Sequence, residues 1–321
     1  MGLLEVKGLT TQFNTKDGTV TAVDDVSFSL EKGEAIGLVG ESGCGKTTTA
    51  LSITNLLPEN GSVSNGEVLL EGKDLAGLDA EEVRKHRWKD ISIAFQGAMN
   101  ALNPVLKIGD QIIEVIMLHE KIDYETARNR AKELLEMVEI DAERIDNYAH
   151  EFSGGMKQRV MLAMALACRP KVLIGDEPTT ALDVMVQAQI LDLIERLREE
   201  LDMGMILITH DLSVMAETCD KAVVMYGGRI VESGKVEAII QRPTHPYTEK
   251  LVSSFPDITK ERTMVESIPG APPNLLDPPK GCYFHPRCEF ATDICRQQAP
   301  DLKPVGPGHY AACHHRGDEH E

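Results

Sequence analysis

The sequence predicts an α/β fold with a mainly parallel sheet, an inserted helical subdomain and a loop-rich C-terminal extension. Short β-rich runs alternate with amphipathic stretches over residues 1–240, and apolar residues recur at helical spacing within about 97–156. Of the 16 prolines, 12 lie at position 243 or later. Because proline is excluded from helix interiors and central strands, residues 241–321 should contain only short regular elements.

The predicted strands are short and apolar, which is typical of strands buried on both faces of a sheet. They comprise "EAIGLVG", "ISIAF", "KVLIG" and "MILIT". A further run, "AVVMYGGRIVESG", predicts a hairpin that turns at Gly227 and Gly228. The helices of the inserted subdomain are expected within "GDQIIEVIMLHE" and "YETARNRAKELLEMVEI".

Composition excludes several classes of partner. The chain has 33 basic and 51 acidic residues, and its net charge of -18 opposes binding to nucleic acid or anionic lipid. No apolar run approaches the roughly 20 residues of a spanning helix, and the N-terminus shows no signal peptide pattern. Seven cysteines without an export signal indicate a reducing compartment, where structural disulfides are rare.

A phosphate-binding loop is predicted at "GESGCGKT", which fits the pattern G-x4-G-K-S/T between a predicted strand and a predicted helix. Glycines let successive backbone N–H groups converge on a phosphate at a helix N-terminus. Lys46 would bind the β- and γ-phosphates, and the Thr47 hydroxyl would bind Mg²⁺. The alternative is an ordinary glycine-rich turn. The predicted nucleotide contacts are Gly40, Ser42, Gly43, Cys44, Gly45, Lys46, Thr47 and Thr48.

Two acidic residues end the strand in "VLIGDEP". Asp176 can hold the Mg²⁺ shell, and Glu177 can polarise a water molecule for attack on the γ-phosphate. Acid pairs also occur at strand ends without catalytic function. Beside a phosphate loop, however, the pair predicts nucleotide hydrolysis.

The stretch "EFSGGMKQR" places a helix-capping serine, Ser153, before Gly154 and Gly155. The glycines would leave the first N–H groups of the helix open to an anion. A serine-capped helix without a ligand is the alternative. The stretch precedes Asp176 by 23 residues and resembles the signature sequence of ATP-binding cassette (ABC) proteins.

Other segments resemble further motifs of the ABC family in the family's order. Phe13 stands where an aromatic residue stacks on adenine, and Gln96 in "AFQGAMNALNP" matches the glutamine loop, which implies Gln96 as a ligand of Mg²⁺. Residues 181–183, ending in Asp183, match the loop between half-sites, and His210 matches the switch histidine. The resemblance implies an ABC nucleotide-binding domain of the P-loop NTPase fold over residues 1–240.

The resemblance also implies a dimer in which Ser153 and Gly155 of one subunit close over ATP bound to Lys46 of another. Hydrolysis would then depend on closure, since catalysis of phosphoryl transfer is mainly positioning and charge stabilisation. Glu177, Gln96 and His210 are the expected catalytic residues, and they predict a competent half-site. Loss of the γ-phosphate would open the dimer.

Four cysteines, Cys282, Cys288, Cys295 and Cys313, follow in the extension, separated by five, six and seventeen residues. This spacing lacks the close pairs of structural zinc sites and the runs of common ferredoxins. It indicates only that four thiolates can converge.

The extension carries a narrower resemblance. "RPTHPYTEKLVSS" and "IPGAPPNLLDPPKGCYFHPRC" resemble the C-terminal extension of ATPase subunits from dipeptide and oligopeptide permeases. Some of these subunits hold a 4Fe-4S cluster, so the resemblance implies Cys282, Cys288, Cys295 and Cys313 as its ligands. The alternatives are reduced cysteines, or zinc bound with help from His285, His309 or His314.

The leading hypothesis is therefore an ATP-hydrolysing subunit of a peptide importer, peripheral to the cytoplasmic face of the cell membrane. Its expected partners are a second ABC ATPase of related but non-identical sequence, two transmembrane permease subunits and an extracytoplasmic substrate-binding protein. Relatives of peptide systems also import nickel or oligosaccharides. Two different classes of protein also fit the motifs: a soluble ABC ATPase without a permease, and a module that uses ATP only as a dimerisation switch.

Overall fold

The computed structural model describes residues 2–95, 101–180, 182–254 and 268–315. The chain forms two compact units. The first comprises Met1–Leu30, Ala35–Gly77 and Leu207–Glu321, and the second comprises Glu31–Glu34 and Leu78–Ile206.

Strands and helices alternate along most of the chain. The strands are β1 Leu4–Thr15, β2 Gly18–Leu30, β3 Ala35–Val39, β4 Gly61–Leu70, β5 Lys73–Asp74, β6 Ile91–Ala94, β7 Val172–Asp176, β8 Gly204–Ile208, β9 Lys221–Tyr226, β10 Arg229–Lys235, β11 Lys303–Gly306 and β12 His309–Ala311. The helices are α1 Lys46–Ile53, α2 Ala80–His86, α3 Ile108–His119, α4 Tyr124–Met137, α5 Gly154–Ala165, α6 Val184–Leu201, α7 Leu212–Thr218, α8 Val236–Gln241, α9 Pro246–Ser253 and α10 Asp293–Gln297. Short 3₁₀ helices span Ala142–Asp146, Ala149–Glu151 and His285–Arg287.

The first unit contains an antiparallel sheet of order β2-β1-β4-β5. It also contains strands from a second sheet, in which β3 pairs in parallel with β9, and β10, β12 and β11 follow as antiparallel neighbours. Every residue of β3 is buried, as its continuous apolar run predicts. The hairpin between β9 and β10 turns at Gly227 and Gly228, whose φ angles of 58° and 84° favour glycine.

The second unit combines a parallel strand pair with the helices predicted for the insertion. β6 and β7 pair in parallel, with Ile91 opposite Val172. Helices α3 and α4 coincide with the two stretches of helical spacing and pack against each other. Asp123 caps α4 by accepting a hydrogen bond from the Thr126 N–H at 3.0 Å.

The C-terminal extension contributes to the core of the first unit. Phe284 is buried with its ring 5.2 Å from that of Tyr226 and 5.5 Å from that of Tyr247. Its regular elements are short, and prolines sit where no N–H is needed: Pro246 lies in the first turn of α9, and Pro304 lies on the edge strand β11. This placement explains how a proline-rich segment retains strands and helices.

Candidate functional site

The phosphate loop connects β3 to α1 in the first unit. Helix α1 begins at Lys46 directly after Gly45. Lys46 is buried, and its Nζ donates hydrogen bonds to the carbonyl oxygens of Gly40 at 2.6 Å and Glu41 at 3.0 Å. The loop therefore surrounds an ammonium group beside a helix N-terminus, an arrangement that attracts anions.

Glycine is required at both ends of this loop because other backbone segments approach closely. A Cβ atom on Gly40 would collide with the carbonyl oxygen of Met225, and one on Gly45 would lie 2.6 Å from the carbonyl oxygen of Ala22. Between them, Gly43 has a φ of 78°, and a Cβ atom added there would meet no other atom within 4 Å. The remaining predicted contact residues share the loop: Ser42 and Thr47 are exposed, Thr48 is half-buried and Cys44 is buried.

The predicted switch histidine follows β8 in the same unit. The Thr209 N–H donates to the Leu38 carbonyl at 3.3 Å, so the end of β8 lies beside β3. His210 comes next and is exposed. It therefore lies at the sheet edge from which the phosphate loop starts.

Phe13 lies on β1, opposite Val20 on one side and Gly61 on the other. Its ring covers Gly61, where an added Cβ would come within 2.6 Å of a ring carbon. The side chain is half-buried. Part of the ring therefore remains open to a ligand.

In the second unit, Asp176 ends β7 and is buried. Glu177 follows in the left-handed region with a φ of 47°, and its carboxylate accepts a hydrogen bond from the Thr180 hydroxyl at 2.9 Å. Asp183 caps α6 by accepting from the Val186 N–H at 3.0 Å. Gln96 and Ala181 lie outside the described residues.

The signature stretch also lies in the second unit, where Ser153 caps α5 as predicted. The Met156 N–H donates to the Ser153 hydroxyl at 3.4 Å. A Cβ atom on Gly155 would lie 2.5 Å from the Val186 side chain. Glycine at 155 is therefore required by packing as well as by any ligand.

The four extension cysteines line one cavity of about 600 Å³. Burial, together with a smaller contribution from the neighbouring Cys295, Cys288 and Cys313 thiols, raises the pKa of Cys282 to about 11. Burial likewise raises the pKa of Cys288. Within the described part of the chain, no three His, Cys, Asp or Glu side chains form a group that could hold a metal ion.

The histidines proposed as helpers of zinc have other partners. His309 Nε2 hydrogen-bonds the buried Glu232 carboxylate at 2.7 Å, and His314 Nε2 bonds the Gln298 carbonyl at 2.8 Å. His285 Nδ1 lies 2.9 Å from the Cys282 carbonyl oxygen. The sequence reasoning overlooked His315, whose Nε2 lies 3.3 Å from Cys295 Sγ.

Arg287 is a second residue that sequence reasoning missed. It lies in the extension, next to Cys288, and forms an ion pair with Glu41 of the phosphate loop. No motif marks this arginine, and 246 positions separate it from its partner.

Two family models match the chain: the ABC transporter model over residues 23–180, and the oligopeptide/dipeptide transporter C-terminal region over residues 231–295. The oligopeptide transport ATP-binding protein OppD of Haemophilus influenzae is 49% identical over 313 residues, covering 97% of this chain and 96% of the relative. The chain belongs to the ABC transporter ATP-binding proteins. Within this family, the dipeptide transport ATP-binding protein DppD of Escherichia coli is 43% identical over 321 residues, covering 99% of this chain and 98% of the relative.

Solved ABC cassettes have the same fold. The dimeric structure of MJ0796, a bacterial ABC transporter cassette, matches with a TM-score of 0.65 and 28% identity, covering 73% of this chain and 98% of that one. A dimeric post-hydrolysis state of the same cassette, bound to ADP and Pi, matches with a TM-score of 0.66 and 27% identity, over 73% and 98% of the two chains. The ABC cassette fold predicted from the sequence is therefore confirmed. In the described part of this ABC protein, no helix is both long and apolar enough to cross a membrane.

Proposed function

We propose that this ABC ATPase energises the import of dipeptides or oligopeptides through a membrane permease. The observation that carries the ATPase part of the proposal is the phosphate loop, in which buried Lys46 lies at the N-terminus of α1 and close backbone contacts require glycine at positions 40 and 45. Relatives named for oligopeptide and dipeptide transport match nearly the whole chain, including the extension, and they support peptides as the substrate class.

Within one site, Lys46 and the loop N–H groups bind the β- and γ-phosphates of ATP. Thr47, Asp176 and Gln96 would hold Mg²⁺, which supplies charge neutralisation between those phosphates. Glu177 polarises the attacking water, and His210 stabilises the charge that develops at the γ-phosphate. Phe13 stacks on the adenine ring.

The site is completed by a second ATPase chain. Ser153, Gly154 and Gly155 of that neighbour close over the γ-phosphate, and Asp183 lies in the loop between half-sites. The serine cap and the helix N-terminus of α5 are the features that suit a phosphate. Hydrolysis then releases the closed dimer and moves the permease.

The proposed assembly contains a related, non-identical ATPase partner, two transmembrane permease subunits and an extracytoplasmic binding protein, with this chain peripheral at the cytoplasmic face. Reconstitution into liposomes with these subunits should give ATP-dependent uptake of a labelled dipeptide or tetrapeptide. Uptake of nickel or an oligosaccharide instead of peptide would contradict peptides as the substrate class and assign that other substrate. ATP hydrolysis by a chain that never co-purifies with permease would contradict transport.

Dimer closure is tested by comparing two helix caps. Ser153→Ala and Asp79→Ala each remove an N-cap, since Asp79 accepts from the Glu81 and Glu82 N–H groups at 3.0 and 2.9 Å. Both should lower the free energy of unfolding by about 1 kcal/mol. Only Ser153→Ala should also lower the ATPase rate of the assembled dimer, by about tenfold or more. Equal rates in the two variants would remove Ser153 from the nucleotide site.

We also propose that Cys282, Cys288, Cys295 and Cys313 hold a 4Fe-4S cluster. The four thiols line one cavity, and four thiolates are the donor set that such clusters use. The bond between His309 and Glu232 weighs against zinc. When bound, the cluster would crosslink the extension and give it a redox-active centre.

Anaerobic purification followed by iron and sulfide analysis tests this assignment. Wild-type protein should contain about four of each per chain, with visible absorption. Cys295→Ser should lose them, whereas Cys168→Ser, a change in the second unit, should retain them. A colourless protein with neither element would end the iron–sulfur assignment, and stoichiometric zinc would replace it.

A further inference from the structure

Arg287 joins the extension to the phosphate loop through a paired contact. Its Nη1 and Nη2 atoms lie 2.6 and 3.0 Å from the two carboxylate oxygens of Glu41, the residue after Gly40 in the loop. The arginine side chain is 4% exposed and the glutamate side chain 26%. This is a bidentate, largely desolvated ion pair, the geometry in which arginine binds a carboxylate most strongly.

The guanidinium group has a partner for each of its five N–H bonds. Besides Glu41, it donates to the Tyr226 hydroxyl at 3.2 Å, the Ile268 carbonyl at 3.2 Å and the Pro269 carbonyl at 2.7 Å. Lysine offers only three donors from one nitrogen and could not satisfy this set. The position is therefore built for arginine.

Glu41 is held at its backbone as well. Its N–H donates to the hydroxyl of buried Tyr247 at 2.8 Å, and its carbonyl accepts from Lys46 Nζ at 3.0 Å. Phe284 of the extension packs against Tyr247. The backbone at the start of the loop is thus held both by a side chain of the extension, Tyr247, and by Lys46 of the loop itself.

A carboxylate at this position opposes the binding of a polyphosphate anion unless a cation offsets it. The described contacts give the Glu41 carboxylate one such cation, Arg287. Because a guanidinium group stays protonated in proteins, this countercharge is permanent.

We propose that Arg287 is a positioning residue of the nucleotide site: it neutralises Glu41 and fixes the first turn of the phosphate loop, so that nucleotide affinity depends on the extension. The proposal rests on the nucleotide binding proposed for this loop and does not depend on the transported substrate or on a metal bound by the extension cysteines. Arg287 touches no substrate and acts through Glu41.

The test is a double-mutant cycle in the full-length chain, with MgATP and MgADP titrated against each variant. Arg287→Met should weaken MgATP binding about tenfold or more, because it leaves a partly buried carboxylate beside the phosphates. Glu41→Gln in that background should restore affinity to within about threefold of wild type, since the repulsive charge is gone. Arg296→Met removes an exposed arginine from the same extension and should leave affinity unchanged.

The cycle separates the possible failures. Wild-type affinity in Arg287→Met would overturn the proposal, and so would a weakened variant that Glu41→Gln fails to rescue, because that result indicates general damage to the fold. Should Arg287→Met not fold, Arg287→Lys keeps the charge but loses the paired geometry, and an affinity equal to wild type would again overturn it. Absence of nucleotide binding in the wild-type chain would instead remove the proposed function itself.

Discussion

The phosphate loop and the C-terminal extension lie in one compact unit but are ordered by different kinds of contact. Around the loop the constraints come from backbone atoms, since Gly40 and Gly45 sit against the carbonyl oxygens of other segments. In the extension, a few buried side chains hold irregular backbone in place, among them Phe284 and Arg287. The shape of the loop therefore depends on glycine, which has no side chain, at positions 40 and 45. The order of the extension depends instead on buried side chains that a single substitution can remove.

The ordering of the extension by buried side chains is clearest at the Glu232 carboxylate. Glu232 on β10 is fully buried and accepts from the Thr244 and His245 N–H groups at 2.7 and 2.8 Å and from His309 Nε2 at 2.7 Å. These bonds hold the two residues that precede α9 in place, and they hold β12 against β10. The extension is thus a part of the first unit's core.

The largest expected effect is on catalysis, which depends on Glu177 of the second unit as well as on the phosphate loop. Glu177→Gln should lower ATP turnover by at least about a hundredfold while prolonging the ATP-bound dimer, because it removes the base that polarises water. Steady-state phosphate release and size-exclusion chromatography with ATP provide the measurements. Glu217→Gln, an exposed change on α7, is the matched control. Normal turnover by Glu177→Gln would take Glu177 out of the general-base role.

A large effect on stability would test whether the extension is integral to the first unit. Phe284→Ala should lower the free energy of unfolding by about 3–5 kcal/mol, since it opens a cavity between Tyr226 and Tyr247. Urea unfolding of the full-length chain measures the change. Phe290→Ala, at an extension residue that is 45% exposed, should cost under about 1 kcal/mol. Equally small losses of unfolding free energy in both variants would show that the extension does not contribute to the core of the first unit.

The comparison also explains which features sequence reasoning could find. The glycines of the loop, the turn at Gly227 and Gly228, and the Ser153 cap are demanded by local backbone geometry, so each leaves a pattern within a few residues. The pairing of Arg287 with Glu41 leaves none. Likewise, His309 has the residue type of a zinc ligand, and only the fold pairs it with Glu232.

The smallest expected effect compares a cysteine from each compact unit. Burial raises the pKa of Cys168, in the second unit, from 9.0 to about 11, and it raises that of Cys282 similarly. Folding favours the neutral thiol, so each contribution to stability is fully present below pH 9 and is lost as the pH rises from about 9 to about 11. The loss should be at most about 2 kcal/mol per thiol.

Urea unfolding of the full chain across this pH range separates the two sulfurs. Cys168→Ala should flatten the alkaline loss of stability whether or not metal is present. Cys282→Ala should flatten the alkaline loss of stability only when it is compared with wild-type protein from which metal has been removed. In metal-bound wild type, a sulfur already bound to iron as thiolate has no proton to lose. If untreated, anaerobically purified wild type shows the full titration of Cys282, its thiol is free and the extension is ordered by side-chain packing alone.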